Sequence, residues 1–166
     1  MKKLVVDLGK CTGCRTCQSV CAVVHEGELN YELARLQITK DDRMGLSAVV
    51  PCTQCSKAPC VEICPVGANA FVPETGANVI NPETCIGCQM CMMVCPFGAV
   101  LKIEKQGQRV IIKCDLCNGD PQCVKFCEPG AIRYEEPQEQ VQKRSDWFAG
   151  RVLELIKEMK GMGETK

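Results

Sequence analysis

Sixteen of the 166 residues of this chain are cysteine, and they fall into four groups of four with none left over. In chain order, the groups are Cys11, Cys14, Cys17 and Cys21; Cys52, Cys55, Cys60 and Cys64; Cys85, Cys88, Cys91 and Cys95; and Cys114, Cys117, Cys123 and Cys127. Such a density of thiols is typical either of a secreted scaffold stapled by disulfides or of a metal carrier, since no apolar core needs so many. The compartment in which the chain folds decides between these two classes.

The first ten residues, MKKLVVDLGK, do not resemble an export signal. Their apolar run ends at Asp7, far short of the apolar region of a signal peptide, and it contains no twin arginine. No stretch of the sequence approaches the roughly 20 apolar residues of a membrane span. We therefore expect a cytoplasmic protein without a membrane span, whose cysteines bind metal because a reducing cytosol does not maintain disulfides.

The composition narrows the function further. Lys plus Arg and Asp plus Glu number 20 each, and this neutral balance argues against a nucleic-acid partner, which would need a basic stripe. Aromatic residues make up only 4%, so the core is poor in bulky side chains and bound metal is expected to supply much of the folding free energy. The sequence has no GxGxxG, Walker, Ser-His-Asp or HExxH pattern, so no catalytic residue is predicted.

The first and third groups share the spacing C-x2-C-x2-C-x3-C, and Pro96 follows the last cysteine of the third group. This is the bacterial ferredoxin signature of a 4Fe-4S cubane. Three thiolates within seven residues can hold three corners of one cubane, whereas the fourth cysteine of such a run binds a second cluster. The motifs must therefore work in pairs, and sixteen thiolates account for four 4Fe-4S clusters. Spacing alone leaves open which motif pairs with which.

The second and fourth groups are looser, with the spacings C-x2-C-x4-C-x3-C and C-x2-C-x5-C-x3-C. Their leading pairs, Cys52/Cys55 and Cys114/Cys117, also resemble half-sites of a zinc ribbon. Ribbons separate two such pairs by roughly a dozen residues or more, so zinc is the weaker alternative. A three-iron cluster would need a missing cysteine. His25, the only histidine, is interpreted as a solvated or hydrogen-bonding loop residue.

Short runs of β-branched and apolar residues lie around the cysteine groups and are separated by glycine-containing turns. The runs are 4–6, 36–39, 49–50, 79–80, 100–103, 110–112 and 132–134. They predict small hairpins, with the cysteines on loops or single helical turns, and hence an α+β domain over residues 1–135. Residues 136–144 are charged and glutamine-rich and are predicted to form a linker.

Beyond this segment, residues 145–161 predict one amphipathic helix, because six apolar residues recur with a period of 3.6. They are Phe148, Val152, Leu155, Ile156, Met159 and Met162. Ser145 or Asp146 is suited to cap the start of the helix and Gly161 its end. An apolar face of this size is predicted to dock on another polypeptide, either a catalytic subunit or a second copy of this chain. Packing on the chain's own core is the alternative.

Two segments carry a family resemblance: CIGCQMCMMVCPFGA at 85–99 and KCDLCNGDPQCVKFCEPGA at 113–131. With the tight-loose-tight-loose order of the motifs, residues 2–135 resemble the four-cluster electron-transfer subunits of the dimethyl-sulfoxide reductase and formate dehydrogenase type. The short chain looks closer to the small subunits that accompany tungsten-containing aldehyde oxidoreductases, carbon monoxide dehydrogenase, hydrogenases and formate dehydrogenases. The resemblance implies two bacterial-ferredoxin-like modules in one chain, with four clusters aligned as a wire.

The same resemblance implies that the first motif pairs with the fourth and the second with the third. The implied ligand sets are Cys11, Cys14, Cys17 and Cys127; Cys21, Cys114, Cys117 and Cys123; Cys52, Cys55, Cys60 and Cys95; and Cys64, Cys85, Cys88 and Cys91. The sequence departs from the commonest family form at Ala22, where proline would follow the cysteine, and at Glu128, which precedes Pro129. Neither change removes a ligand, although the charge of Glu128 would lower the potential of a nearby cluster.

These features predict an electron-transfer subunit, without catalytic residues of its own, that conducts electrons one at a time between a catalytic oxidoreductase and an acceptor. The preferred partner is a tungsten- or molybdenum-pterin aldehyde oxidoreductase, on the resemblance of residues 119–132, GDPQCVKFCEPGAI. Carbon monoxide dehydrogenase, hydrogenase and formate dehydrogenase remain open as partners. A free polyferredoxin without a permanent partner is the alternative class, and the C-terminal helix argues against it.

Overall fold

The computed structural model describes residues 1–41, 43–105, 107–137 and 139–163. The helices in this part of the chain are α1 (Thr16–Glu26), α2 (Pro59–Glu62), α3 (Met90–Met93), α4 (Gln122–Lys125) and α5 (Glu139–Gly163), with 3-10 turns at Tyr31–Leu33 and Leu116–Gly119. The strands are β1 (Lys3–Val6), β2 (Gln37–Asp41), β3 (Leu46–Val50), β4 (Asn69–Val72), β5 (Ala77–Ile80), β6 (Val100–Lys105), β7 (Gln108–Lys113) and β8 (Ile132–Glu135). This mixture of short helices and strands confirms the predicted α+β class.

Within the described residues, the strands pair antiparallel as four two-stranded sheets. Three of these are hairpins of consecutive strands, β2–β3, β4–β5 and β6–β7. The fourth joins the first strand to the last, with Leu4 opposite Tyr134 and Val6 opposite Ile132. The sequence predicts hairpins only, because a pairing that spans most of the chain leaves no local signal. This pairing brings the first cysteine motif beside the fourth.

The interior of the protein is built from small side chains and cysteines. Leu36 and Leu116 are among the largest fully buried side chains, and Ala22, Ala34 and Ala77 are completely inaccessible. Six thiols are buried as well, namely Cys17, Cys21, Cys52, Cys60, Cys114 and Cys123. Because small aliphatic side chains bury little area, this interior is consistent with a fold that depends on bound metal.

Helix α5 begins earlier than the sequence predicts. It runs from Glu139 to Gly163, so it starts inside the segment 136–144 assigned to a linker and continues past Gly161. The glutamate, glutamine and lysine residues of 139–143 are good helix formers, and Pro137 lies before the first turn. The predicted caps at residues 145, 146 and 161 are therefore wrong. The side chain of Met162 lies outside the described part of the chain. No described helix is both long and apolar enough to cross a membrane.

The buried face of α5 is rotated relative to the predicted one. The helix packs against α2, with Ala149 and Ile156 only 0% and 2% exposed. Leu155 and Met159, predicted to lie on the same apolar face, are 55% and 71% exposed. Docking on another polypeptide is therefore wrong for Ile156, which packs within its own chain. The pattern of large apolar residues missed Ala149, whose small side chain permits the close approach of α5 to the core.

Candidate metal centres

The structure brings the sixteen cysteines together in four sets, and all of them are free thiols. Each set takes three cysteines from one motif and one from another. The sets are site 1 (Cys11, Cys14, Cys17, Cys127), site 2 (Cys21, Cys114, Cys117, Cys123), site 3 (Cys52, Cys55, Cys60, Cys95) and site 4 (Cys64, Cys85, Cys88, Cys91). These groupings coincide with the sets that the family resemblance implies.

Sites 1, 3 and 4 each surround a small cavity that is lined by all four of their cysteines. Most other lining residues are apolar; at site 1 they include Ile38, Val49 and Ile132. Four thiols that converge on one cavity with a mostly apolar lining form the donor set of a 4Fe-4S cubane. The residues present therefore fit the cluster that the spacing predicts.

The tight first motif is shaped by left-handed residues on both sides of its middle cysteine. Gly13 and Arg15, at φ 67° and 65°, flank Cys14. The third motif repeats this geometry with Gly87 and Gln89, at φ 68° and 65°. Successive turns of this kind direct backbone N–H groups into a concave nest, which suits the sulfides and thiolates of an iron–sulfur site. The residue before the middle cysteine therefore needs a positive φ, which glycine adopts at no steric cost.

The loose second motif is held by side-chain amides. Gln54, only 2% exposed, donates a hydrogen bond from Nε2 to the carbonyl of Cys114 at 2.7 Å and accepts one from the backbone N–H of Asn78 at 2.8 Å. The Asn78 amide in turn donates to the carbonyl of Cys55 at 3.1 Å. Neither residue was predicted from the sequence, although a long polar side chain inside a C-x2-C pair marks Gln54 as unusual. Gln54 connects the loop of site 3 to the fourth motif.

Site 2 is the most enclosed of the four sets. Burial, and then the neighbouring Cys21 and Cys117, raise the pKa of Cys123 to about 12. Burial likewise raises the pKa of Cys21 to about 11, while the backbone N–H of Arg35 donates a hydrogen bond to its Sγ at 3.3 Å. Thiols this close and this buried ionise together only when a cation neutralises them. The four thiols converge on one another without forming a disulfide, as at the other three sites, and this geometry suits them to bind metal.

His25 lies beside site 2 on helix α1 instead of on the loop that the sequence predicts. Its Nε2 is 3.4 Å from Cys117 Sγ and 3.5 Å from Asp115 Oδ1. These three side chains form a group of metal-ligand type. However, Asp115 Oδ2 forms an ion pair with Arg35 Nη1 at 2.5 Å, and the Cys117 thiol is one of the four thiols of site 2. Burial, and then the charge of Arg35, lower the pKa of His25, so the side chain serves as a neutral hydrogen-bonding partner.

The four sites follow one another as a row with exposed ends. Cys14 of site 1 and Cys88 of site 4 are exposed, whereas most thiols of sites 2 and 3 are buried. In addition to the effect of burial, a nearby thiol of the adjoining site raises the pKa of Cys123, of Cys114 and of Cys91; these nearby thiols are Cys17, Cys52 and Cys60, respectively. These pairs give the order 1, 2, 3, 4.

Lys113 is a buried cation that the sequence analysis missed. It is 3% exposed, and its Nζ lies 3.6 Å from Cys60 Sγ. Burial opposes its charge, but the thiolates of Cys52, Cys60 and Cys95 together outweigh burial, so the pKa of Lys113 is raised. In the sequence, Lys113 is one more charged residue at the end of a strand, which explains why the pattern did not reveal it.

Helix α5 covers one side of site 3, and its removal is expected to expose that site to solvent. Ser145 Oγ lies 4.0 Å from Cys55 Sγ, and Phe148 meets Phe97 edge-on at 6.3 Å between ring centroids. In air, a chain that ends at Gln142 should lose iron from site 3 about tenfold faster than the full chain, because outer residues control solvent access to a metal site. Iron release and visible absorption measure the two rates.

A chain that ends at Met159 is the matched control, because it keeps the described contacts of α5 with the core. It should lose iron at the rate of the full chain. Equal rates for the full chain and the chain that ends at Gln142 would show that site 3 does not depend on α5.

Comparison with known proteins finds families that bind 4Fe-4S clusters. Residues 46–137 match the family described as a 4Fe-4S dicluster domain, and residues 8–24 match a 4Fe-4S binding domain. Together with the sixteen cysteines, these matches give four 4Fe-4S clusters per chain.

Three relatives have names that describe electron transport or a component of an enzyme. The polyferredoxin-like subunit of aliphatic sulfonate oxidoreductase from Pyrococcus furiosus is 38% identical, over 75% of this chain and 70% of its own length. The putative electron transport protein YsaA of Escherichia coli is 36% identical, over 78% of this chain and 87% of its own length. Hydrogenase-4 component A of Escherichia coli is 31% identical, over 84% and 88% respectively.

Proposed function

Since this chain belongs to the 4Fe-4S dicluster domain family, we propose that it is the subunit that conducts electrons between a catalytic oxidoreductase and an external acceptor. It is an iron–sulfur electron-transfer protein and not an enzyme by itself, as the names of its relatives indicate. The observation that carries the proposal is the row of four cysteine sites with an exposed thiol at each end.

Each 4Fe-4S cubane, when bound, accepts or donates a single electron. We propose that each of sites 1 to 4 holds one cluster, and that sites 1 and 2 belong to one ferredoxin-like module and sites 3 and 4 to the other. The chain's own contribution is to supply the thiolates, to direct backbone N–H groups at them and to keep water from the inner sites. A reducing cytoplasm, the compartment we propose, suits a protein that depends on sixteen thiols.

The two exposed ends are suited to contact different partners. At site 4, Ile86 and Met93 are 64% and 85% exposed next to the third motif. At site 1, Leu8 and Phe126 are 58% and 55% exposed. Exposed apolar side chains around an accessible metal site favour the close approach of another protein. The buried middle of the row keeps sites 2 and 3 away from solvent.

We propose a tungsten- or molybdenum-pterin aldehyde oxidoreductase as the catalytic partner, on the resemblance of residues 119–132. The names of the relatives, which include a sulfonate oxidoreductase subunit and a hydrogenase component, keep other oxidoreductases as alternatives. A free polyferredoxin is the second candidate function. Helix α5 no longer argues against it, because Ala149 and Ile156 of this helix are buried within the chain itself.

Native size-exclusion chromatography of untagged protein from an anaerobic extract distinguishes these functions. We expect the chain to elute with a larger catalytic subunit, well ahead of the purified 18.2 kDa chain run as the reference. Metal analysis of the same fractions should find tungsten or molybdenum together with iron if the partner is a pterin enzyme. Elution only at the position of the reference would contradict the subunit function and favour the free carrier.

A further inference from the structure

Lys113 places a buried positive charge inside one of the four cysteine sites. It is the last residue of β7 and precedes Cys114 of site 2, but its ammonium points to site 3, 3.6 Å from Cys60 Sγ. Lys113 also lines the same cavity as the four cysteines of site 3. Lys113 is therefore next to a ligand of site 2 in the sequence, whereas its charge lies at site 3.

Site 3 differs in charge from the two outer sites. Among the described residues that line its cavity, Lys113 is the only lysine, arginine or carboxylate. The cavities of sites 1 and 4 have no such charged residue among their described linings. In the described part of the chain, moreover, no carboxylate forms an ion pair with Lys113. A buried lysine without a carboxylate partner is unfavourable unless another negative group balances it, and the groups placed to do so are the thiolates of site 3, which would hold the cluster.

A fixed cation beside an iron–sulfur cluster stabilises the reduced state, which carries one more negative charge than the oxidised state. The stabilisation is larger in a buried, weakly polarisable setting than in water. We propose that the fixed positive charge of Lys113 raises the reduction potential of site 3, so that an electron is held there more readily than at the outer sites 1 and 4. This inference rests on the proposed loading of site 3 with a 4Fe-4S cluster.

The test is an anaerobic redox titration of the isolated, fully loaded protein, followed by electron paramagnetic resonance. In the Lys113→Met and Lys113→Gln variants, the ratio of oxidised to reduced site 3 at a fixed potential should rise about tenfold, which equals a downward shift of 59 mV for a one-electron couple. Lys113→Arg keeps the charge and should keep the potential. The couple of site 3 is identified as the one missing from the Cys55→Ala variant.

Lys102→Met is the matched control, because Lys102 is an exposed lysine on the neighbouring strand β6. It should leave all four couples unchanged. Full iron content with an unshifted site 3 in both uncharged variants would overturn the proposal. So would loss of site 3 iron in both uncharged variants when Lys113→Arg retains it, because the charge would then hold the cluster and not set its potential. These results are obtained without any partner protein, so they are distinct from failure of the subunit function.

Discussion

In the Cys21→Ala variant, we expect the loss of about four irons per chain, all of them from site 2. Cys21 lies in the first motif, one helical turn beyond Cys17 on α1. A turn of helix advances about 5.4 Å, so the two thiols reach different sites although they share one face. Cys17 lines site 1, whereas Cys21 is the neighbour of Cys117 and Cys123 at site 2. The variant therefore loses a cysteine of the first motif but keeps site 1, which the other three cysteines of that motif line.

Cys127→Ala is the reciprocal variant and should empty site 1, although Cys127 belongs to the fourth motif. Val24→Ala, at a position 52% exposed on the same helix as Cys21, is the matched control and should keep its full iron content. Iron and sulfide analysis together with the resonance spectra of the reduced proteins measure the outcome. Loss confined to site 1 in the Cys21→Ala variant would contradict the pairing of the first motif with the fourth.

The cysteine motifs were predictable from sequence because their geometry is local. Three ligands within a tight loop need only a short segment, and the glycine before Cys14 and Cys88 marks the left-handed turn that shapes it. The pairing of motifs needed the family resemblance, since the structural reason for it is not local. The first strand meets the last, with Lys3 opposite Glu135, and no spacing rule reports such a contact.

The residues that the sequence analysis missed act across long separations in the chain. Gln54 bonds to the carbonyl of Cys114, 60 residues away, and Lys113 reaches the thiol of Cys60, 53 residues away. Neither a glutamine between two cysteines nor a lysine at a strand end indicates its partner. The prediction of the buried face of α5 was wrong for a different reason. Counting only large apolar residues located the helix but missed Ala149, which allows the helix to approach the core.

Removal of iron by a chelator under anaerobic conditions is expected to unfold the chain at neutral pH. The described strands form only two-stranded sheets, which are marginally stable in water by themselves. Helices α2, α3 and α4 have four residues each, too short to persist without tertiary contacts. Ligation at one structural metal site is worth on the order of 10 kcal/mol, comparable with the whole stability of a small domain. Far-UV circular dichroism during chelation measures the loss.

The pH dependence of the emptied chain provides a second test of whether folding depends on bound metal. Burial raises the pKa of Cys17 to about 11 and that of Cys123 to about 12, from an ordinary value of 9.0. The folded empty chain therefore favours protonated thiols, and any structure left after chelation should be lost as the pH rises from 9.0 towards about 12. The loaded protein should not show this alkaline transition, because metal already holds its thiolates.

The prediction that chelation unfolds the chain at neutral pH has its own contradicting outcome. A cooperative thermal transition that survives chelation at neutral pH would show that the small aliphatic core is sufficient for folding.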